Sequence, residues 1–306
     1  MNHQRGGRSK LPGFVQAMTT GIIIGSLIRY DMLKRDYRLY PSYPHGVVIH
    51  LALGFIAAVI GAVAIPALLE KEFTAVTFLA LAATQFREVR GMERDMLEGL
   101  DRTNLVPRGP DYIEGIARVF EARNYLVMLA ALLISGATFI GNIYYGLLMG
   151  VATFIISKTL MKGKNIGDIA LVRAGRVHFE GAKLFVDNIQ FMNLALQQSR
   201  ETYLKRGLGI IVEPLNDNGR ATLANNGQRK AIAHDAAALL GVYKDVDSAE
   251  FTPLVRRSLD TGRVGLVIVP MEKDISVLIE AVKRVPVLES ALSTPLKTTL
   301  GKKAAD

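Results

Sequence analysis

Long apolar runs alternate with arginine-rich connectors through the first half of the chain, and no such run occurs in the second half. Residues 11–28, 46–69, 73–86 and 126–157 contain no Asp, Glu, Lys or Arg, although His50 lies inside the second run. A helix rising 1.5 Å per residue needs roughly 20 residues to cross about 30 Å of hydrocarbon. The last run is long enough for a hairpin broken at Gly141-Asn142, so the pattern predicts four or five crossings. We take five segments (11–28, 46–69, 73–86, 126–140 and 143–157). The fold class expected is a polytopic α-helical membrane domain over 11–158, followed by a soluble cytoplasmic α/β domain over 159–290. A basic tail, 1–10, precedes the first segment and a flexible tail, 291–306, ends the chain.

In the second half the periodicity shortens. Residues 169–172 and 176–179 are expected to pair as strands around Ala174-Gly175, 184–206 to form a helix, and 207–213 a buried strand. The run Asn216-Asp217-Asn218-Gly219 is a turn signal. Ala231, Ile232, Ala236, Leu239 and Leu240 recur at helical spacing within 228–240, with Gly241 as the cap. The apolar run 264–269 stops at Pro270, and Asp274 stands where it caps a helix over 275–285. Strands interleaved with helices imply a layered domain.

Charge orients the apolar half. Arg29, Lys34, Arg35 and Arg38 crowd the first connector, and Arg87, Arg90, Arg94, Arg102, Arg108, Arg118 and Arg123 the connector 87–124. Glu70-Lys71-Glu72 and Gly141-Asn142 are almost free of positive charge. The two basic connectors and the carboxyl-terminal domain should therefore be cytoplasmic. Five crossings place the amino terminus outside, against Arg5, Arg8 and Lys10; a re-entrant first segment would leave four. No small-x-small cleavage pattern follows the first segment, which is expected to be retained.

Composition changes the picture only at the edges. The net charge of +9 reflects these connectors more simply than a nucleic-acid footprint, and no direct nucleic-acid binding is expected. Mean hydropathy of +0.24 averages two unlike halves. The absence of Cys excludes disulfides and thiol nucleophiles. With no Trp, Tyr30, Tyr37, Tyr40, Tyr43, Tyr112 and Tyr125 are the candidate interfacial anchors. Gly21, Gly25, Gly54 and Gly61 suit close helix packing, and Pro66 should kink the second helix. With no buried ionisable pair legible in the apolar runs, a transporter is disfavoured.

Residues 110–114 read as a helix start, with Asp111 as cap, Glu114 as capping-box partner and Arg118 one turn further on. The words Tyr112-Ile113-Glu114-Gly115-Ile116-Ala117 spell the motif that names the YIEGIA family of membrane proteins in spore-forming Gram-positive bacteria, and the chain resembles that family along nearly its whole length. The resemblance implies a sporulation-associated protein linked to regulated proteolysis of translation initiation factor 3 and restrained by a small soluble cap protein. The residues themselves spell no HExxH, no intramembrane aspartate dyad, no GxSxG elbow, no Walker loop and no dinucleotide fingerprint. No cofactor and no metal are expected.

A protease without Cys needs Ser, Thr or an activated water as nucleophile. Ser26, His50, Ser157 and Lys158 all fall at the cytoplasmic ends of predicted segments, near Glu88, Glu114 and Asn124. The preferred catalytic set is Ser26 with His50 as base and Glu88 or Glu114 as orienter, with Ser157-Lys158 in reserve. Helix packing at Ser26 and a headgroup contact at His50 are the plainer alternatives. Arg118, Asn124, Asn225, Asn226, Gln228, Arg229, His234 and Asp235 are candidate substrate- or partner-binding residues, set against ordinary helix capping for the 225–235 group. Two function classes stay open, a membrane-bound protease and a non-enzymatic membrane platform, and homo-oligomerisation stays open with them.

Overall fold

The structure, a computed structural model, describes residues 5–36, 44–243 and 251–304. Residues 37–43, which hold Tyr37, Arg38, Tyr40 and Tyr43, lie outside the described residues, as do 1–4, 244–250 and 305–306. The chain divides into two compact units, one of residues 1–94 and 116–162, the other of 95–115 and 163–306.

The first unit is helical. Its elements are α1 (Arg5–Asp36), α2 (Pro44–Leu69), most of α3 (Phe73–Asp101) and of α4 (Pro110–Ile140), and α5 (Ile143–Leu160); residues 95–101 of α3 and 110–115 of α4 belong to the second unit. Among the described residues, three helices are long and apolar enough to cross a membrane: Gly46–Leu69, Pro110–Ile140 and Ile143–Leu160. The other two expected crossings, 11–28 and 73–86, are the apolar parts of α1 and α3, which run on into charged turns. The break at Gly141-Asn142 is present, and Asn142 Oδ1 caps α5 by accepting from the Tyr144 N–H at 2.9 Å.

Small residues set the packing. A Cβ on Gly25 would meet Ala58 and Ala131 at 3.1 Å, and one on Gly61 would overlap the Met128 carbonyl, so α1, α2 and α4 approach at backbone distance. Ser135 Oγ donates to the Ala62 carbonyl at 2.8 Å across the same seam. Gly25 faces Ala58 while Gly21 faces Ala62, so α1 and α2 run antiparallel. Gly61 faces Met128 while Gly136 faces Ile65, which makes α2 and α4 parallel. Gly146 faces Thr20 while Gly150 faces Ile24, which makes α1 and α5 parallel. The core of this unit gathers Ile28, Met32, Ala57, Ala58, Phe86, Val127 and Ile134. Pro66 lies inside α2.

The second unit is α/β. Strands β1 (Ala170–Gly175), β5 (Leu208–Pro214), β7 (Val264–Ile268) and β6 (Leu254–Arg257) form one antiparallel sheet in the order β1-β5-β7-β6. Strands β2 (Val177–Glu180), β3 (Lys183–Val186) and β4 (Ile189–Asn193) form a second, an antiparallel meander. Leu184, Val186, Ile189 and Phe191 of the small sheet pack with Ile211 and Val267 of the large one and with Tyr203 of α7 (Gln197–Arg206). Strand alternation then turns Ile210 and Val212 to the other face, where both are buried. The remaining helices are α6 (Ile166–Ile169), α8 (Asp217–Leu223), α9 (Asn226–Leu240), α10 (Ile275–Lys283) and α11 (Thr299–Lys303).

Several local expectations are corrected. Residues 169–172 and 176–179 do not pair with each other: β1 pairs with β5 and β2 with β3, because the single residue between β1 and β2 is too short for a hairpin. The stretch 184–206 is not one helix. Its apolar positions 184, 186, 189 and 191 follow strand period around a tight turn at Asp187, whose φ is 49°, and only its end is helical. Strand β6 has no counterpart in the sequence reading. Asp111 is not a cap, since α4 begins at Pro110, whose missing N–H suits a first helical position, and Glu114 is therefore no capping-box partner. Residues 216–219 open α8, with Asn216 as cap, rather than forming an isolated turn. The stretch expected to be a flexible tail carries a 3-10 turn and α11, and the Leu296 N–H donates to Asn218 Oδ1 at 2.9 Å.

Candidate functional site

A set of polar side chains sits inside the helical unit where four helices meet. Arg29 of α1 is 1% exposed, His50 of α2 4%, Glu93 of α3 8% and Asn124 of α4 0%. Each arrives by a different route. Helix α1 continues past its apolar run to Asp36, so Arg29 stays on the packed face instead of leaving into a connector. Gly54 of α2 makes room for it, since a Cβ there would lie within 3.0 Å of three Arg29 side-chain carbons. Glu93 lies beyond the apolar part of α3, where the helix carries on as a charged extension.

His50 Nε2 stands 3.8 Å from Glu93 Oε1. The imidazole also meets the Phe120 ring edge-on at 5.0 Å, and the Arg29 guanidinium is 6.0 Å from the same ring. Burial raises the pKa of Glu93, and the positive charge of Arg29 pulls in the opposite direction. Neither amide atom of Asn124 makes a hydrogen bond within the protein, and Ser26 Oγ, three residues before Arg29 on α1, makes none either. Buried groups of this kind normally find partners, so Asn124 and Ser26 are available to something else. Chemically, the arrangement offers a base with an adjacent carboxylate, a guanidinium and an unengaged amide.

Two sequence expectations change here. Arg29, grouped with the connector charges, is inside the bundle. The helices do hold a buried ionisable pair, His50 with Glu93, which the apolar runs alone concealed. Glu93, not among the candidates drawn from the sequence, is the carboxylate beside His50, whereas Glu88 on the same helix is exposed. A signal was present: Glu93 is seven residues, two helical turns, beyond the buried Phe86.

The remaining candidates have other surroundings. Ser157 is buried and donates to the Phe154 carbonyl at 2.8 Å, and Lys158 Nζ lies 4.2 Å from the Phe154 ring centre. Glu114 is half-buried near the start of α4 and Arg118 is exposed. In the motif, Tyr112, Ile113, Ile116 and Ala117 are all buried, which makes it chiefly a packing element.

In the α/β unit, the polar group around α9 organises the structure. Asn225 Oδ1 caps α9 by accepting from the Gln228 N–H at 3.0 Å, and Asn226 is exposed. Gln228 donates to the Pro286 carbonyl at 3.0 Å and accepts from the Leu288 N–H at 2.8 Å. Arg229 donates to the Leu223 carbonyl at 3.1 Å, at the end of α8. His234 Nε2 accepts from Arg108 Nε at 3.0 Å, and its Nδ1 faces the Val106 carbonyl. Burial lowers the His234 pKa, in keeping with a neutral ring that accepts from an arginine. Asp235 instead accepts from the Tyr112 hydroxyl at 3.2 Å, so the two neighbours serve different partners. Asp101, taking the Arg108 and Gly109 N–H groups at 2.8 and 3.1 Å, completes the fastening of the loop between α3 and α4.

Helices apt for a membrane, a buried polar set among them and an attached α/β unit define a membrane-associated protein of two parts. Residues 17–298 match the family described as YIEGIA protein, and the chain belongs to that family. It is 45% identical over 282 residues to the uncharacterized protein YphB of Bacillus subtilis (strain 168), covering 92% of this chain and 95% of that relative. No solved structure matches the chain.

Proposed function

We propose that the chain is a five-pass membrane protein, its α/β unit in the cytoplasm, that acts as a membrane-bound protease or an essential part of one. The alternating directions of α1, α2, α4 and α5 support five passes, and the Arg and Lys of the connectors support the orientation. One observation carries the chemical reading, the buried His50–Glu93 pair at 3.8 Å; the unengaged Asn124 amide lies on α4 one helical turn from the Phe120 ring that His50 meets. Buried ionisable groups are costly to hold and cluster at functional sites. In this reading His50 is the base, Glu93 orients it, and Ser26 or a water is the nucleophile. The substrate is a cytoplasmic protein, with translation initiation factor 3 proposed from the family resemblance, as are the sporulation setting and the restraining cap protein.

A second reading, a platform that presents substrate to another protease, is favoured by one fact: Ser26 Oγ makes no hydrogen bond, so no nucleophile–base pair is formed. Incubating the purified full chain in detergent with the initiation factor and no other protease separates the two. Specific cleavage products support the enzyme, and binding without cleavage supports the platform. A reporter fused after Ser290 should be active on the cytoplasmic side, and activity on the outer side would overturn the orientation.

A further inference from the structure

Between α1 and α5, on the outer surface of the helical unit, lies an apolar cleft of about 290 Å³. Ile24, Leu27 and Ile28 form one wall and Val151 and Phe154 the other, with Gly150 beneath. Gly150 makes the cleft: a Cβ there would come within 3.0 and 3.2 Å of the Ile24 methyl carbons. Leu27 and Val151 are largely exposed, so the cleft opens outward. Its length along α5, from Leu147 to Phe154, is about 10 Å at 1.5 Å per residue.

One end of this cleft is charged. Phe154 closes it, and the Lys158 ammonium, one helical turn on, lies over the Phe154 ring at 4.2 Å. Among the described residues no carboxylate pairs with Lys158, and the exposed Lys162 and Lys164 follow it in sequence. An apolar slot that ends under an ammonium group matches a molecule with a hydrocarbon chain and an anionic head.

We propose that this cleft binds an anionic phospholipid, one acyl chain lying between α1 and α5 and the phosphate held by Lys158. The site rests on the reading of α1 and α5 as membrane-spanning, which puts Lys158 at the cytoplasmic surface. Anionic headgroups there attract basic side chains next to the hydrocarbon. A lysine set over an aromatic ring at the end of the slot holds the headgroup directly above the chain it belongs to, and that geometry selects an anionic lipid over a zwitterionic one.

The test is lipid binding by the full chain in detergent, followed by native mass spectrometry with phosphatidylglycerol and phosphatidylcholine of identical acyl chains. The unmodified protein should retain phosphatidylglycerol preferentially. Lys158→Gln should lower its affinity for phosphatidylglycerol about fivefold, the effect of one basic residue at an anionic surface, and leave phosphatidylcholine unaffected. Val151→Trp, which fills the slot from its open side, should weaken both. Equal retention of the two lipids, or no response to Lys158→Gln, would overturn the site. So would a shift from dimer to monomer on Val151→Trp with lipid binding unchanged, since a second copy would then be the occupant. Carbonate extraction of cell membranes distinguishes the two levels of failure: release of the chain defeats the membrane reading itself, whereas retention without lipid preference defeats only the site.

Discussion

Replacing Glu93 by Gln sets two physical accounts of the buried polar set against each other. If His50 and Glu93 form an ordinary structural ion pair, two unit charges 3.8 Å apart attract by about 4 kcal/mol at an effective permittivity near 20. Removing one partner of a buried pair then typically costs about 3–5 kcal/mol. The raised pKa of Glu93 points the other way: desolvation outweighs the help from Arg29, so the ionised carboxylate is less favourable in the folded protein than in water. A carboxyl with its pKa raised by folding contributes stability that is complete below its unfolded value and is lost as pH rises through the folded value. Gln resembles the neutral acid in shape and charge. Glu93→Gln should therefore leave stability at neutral pH unchanged or higher, and should flatten the loss of stability as pH rises above the ordinary glutamate range. If Glu93 orients the base, turnover should nonetheless fall by about 10²–10⁴-fold. Thermal unfolding of the purified full chain followed by far-ultraviolet circular dichroism, alongside cleavage of the initiation factor, measures both. A destabilisation of about 3 kcal/mol or more would refute the reasoning and make the pair structural. Full turnover by the variant would remove Glu93 from the machinery.

Three further outcomes are expected. Ser26→Ala and His50→Ala should each abolish turnover while partner binding persists, with the double variant no worse than either single one, because a nucleophile and its base fail as a unit; near-normal cleavage by Ser26→Ala alone would assign the attack to water. Gly61→Val should push α2 from α4 and destabilise the helical unit by about 3 kcal/mol, the upper end for overpacking, since the obstacle is the Met128 backbone; thermal unfolding in detergent checks it. Gln228→Ala should leave the buried Leu288 N–H and the half-buried Pro286 carbonyl without their partner, at about 1–3 kcal/mol for the N–H and less for the carbonyl, and hydrogen exchange at Leu288 should accelerate markedly.

The sequence by itself determined what short-range physics controls. Apolar runs of 14 to 32 residues specify helices in a nonpolar surrounding, and Asn142 breaks the last run because its side chain can stand in for a helical carbonyl. Asp274 and Gly241 mark the start of α10 and the end of α9 for similar local reasons: a carboxylate takes free N–H groups, and a glycine accepts the φ of +67°. The six residues 112–117 carried the family with them. Only the tertiary structure decided which polar groups are buried. Arg29 stands at the end of an apolar run as a connector arginine would, and nothing within a few residues says that Gly54, 25 positions away, leaves a recess for it. His50 gains Glu93 from 43 residues off, a partner that depends on how α2 and α3 fold back at Lys71, whose φ is +59°. Strand pairing is non-local in the same way: β1 finds β5 across almost 40 residues, and the pairing is fixed by burial of Ile210, Ile211 and Val212 on both faces of the sheet. Helix, cap and turn are settled by neighbours a few residues apart, whereas burial and pairing are settled by surfaces that exist only once the chain has closed on itself.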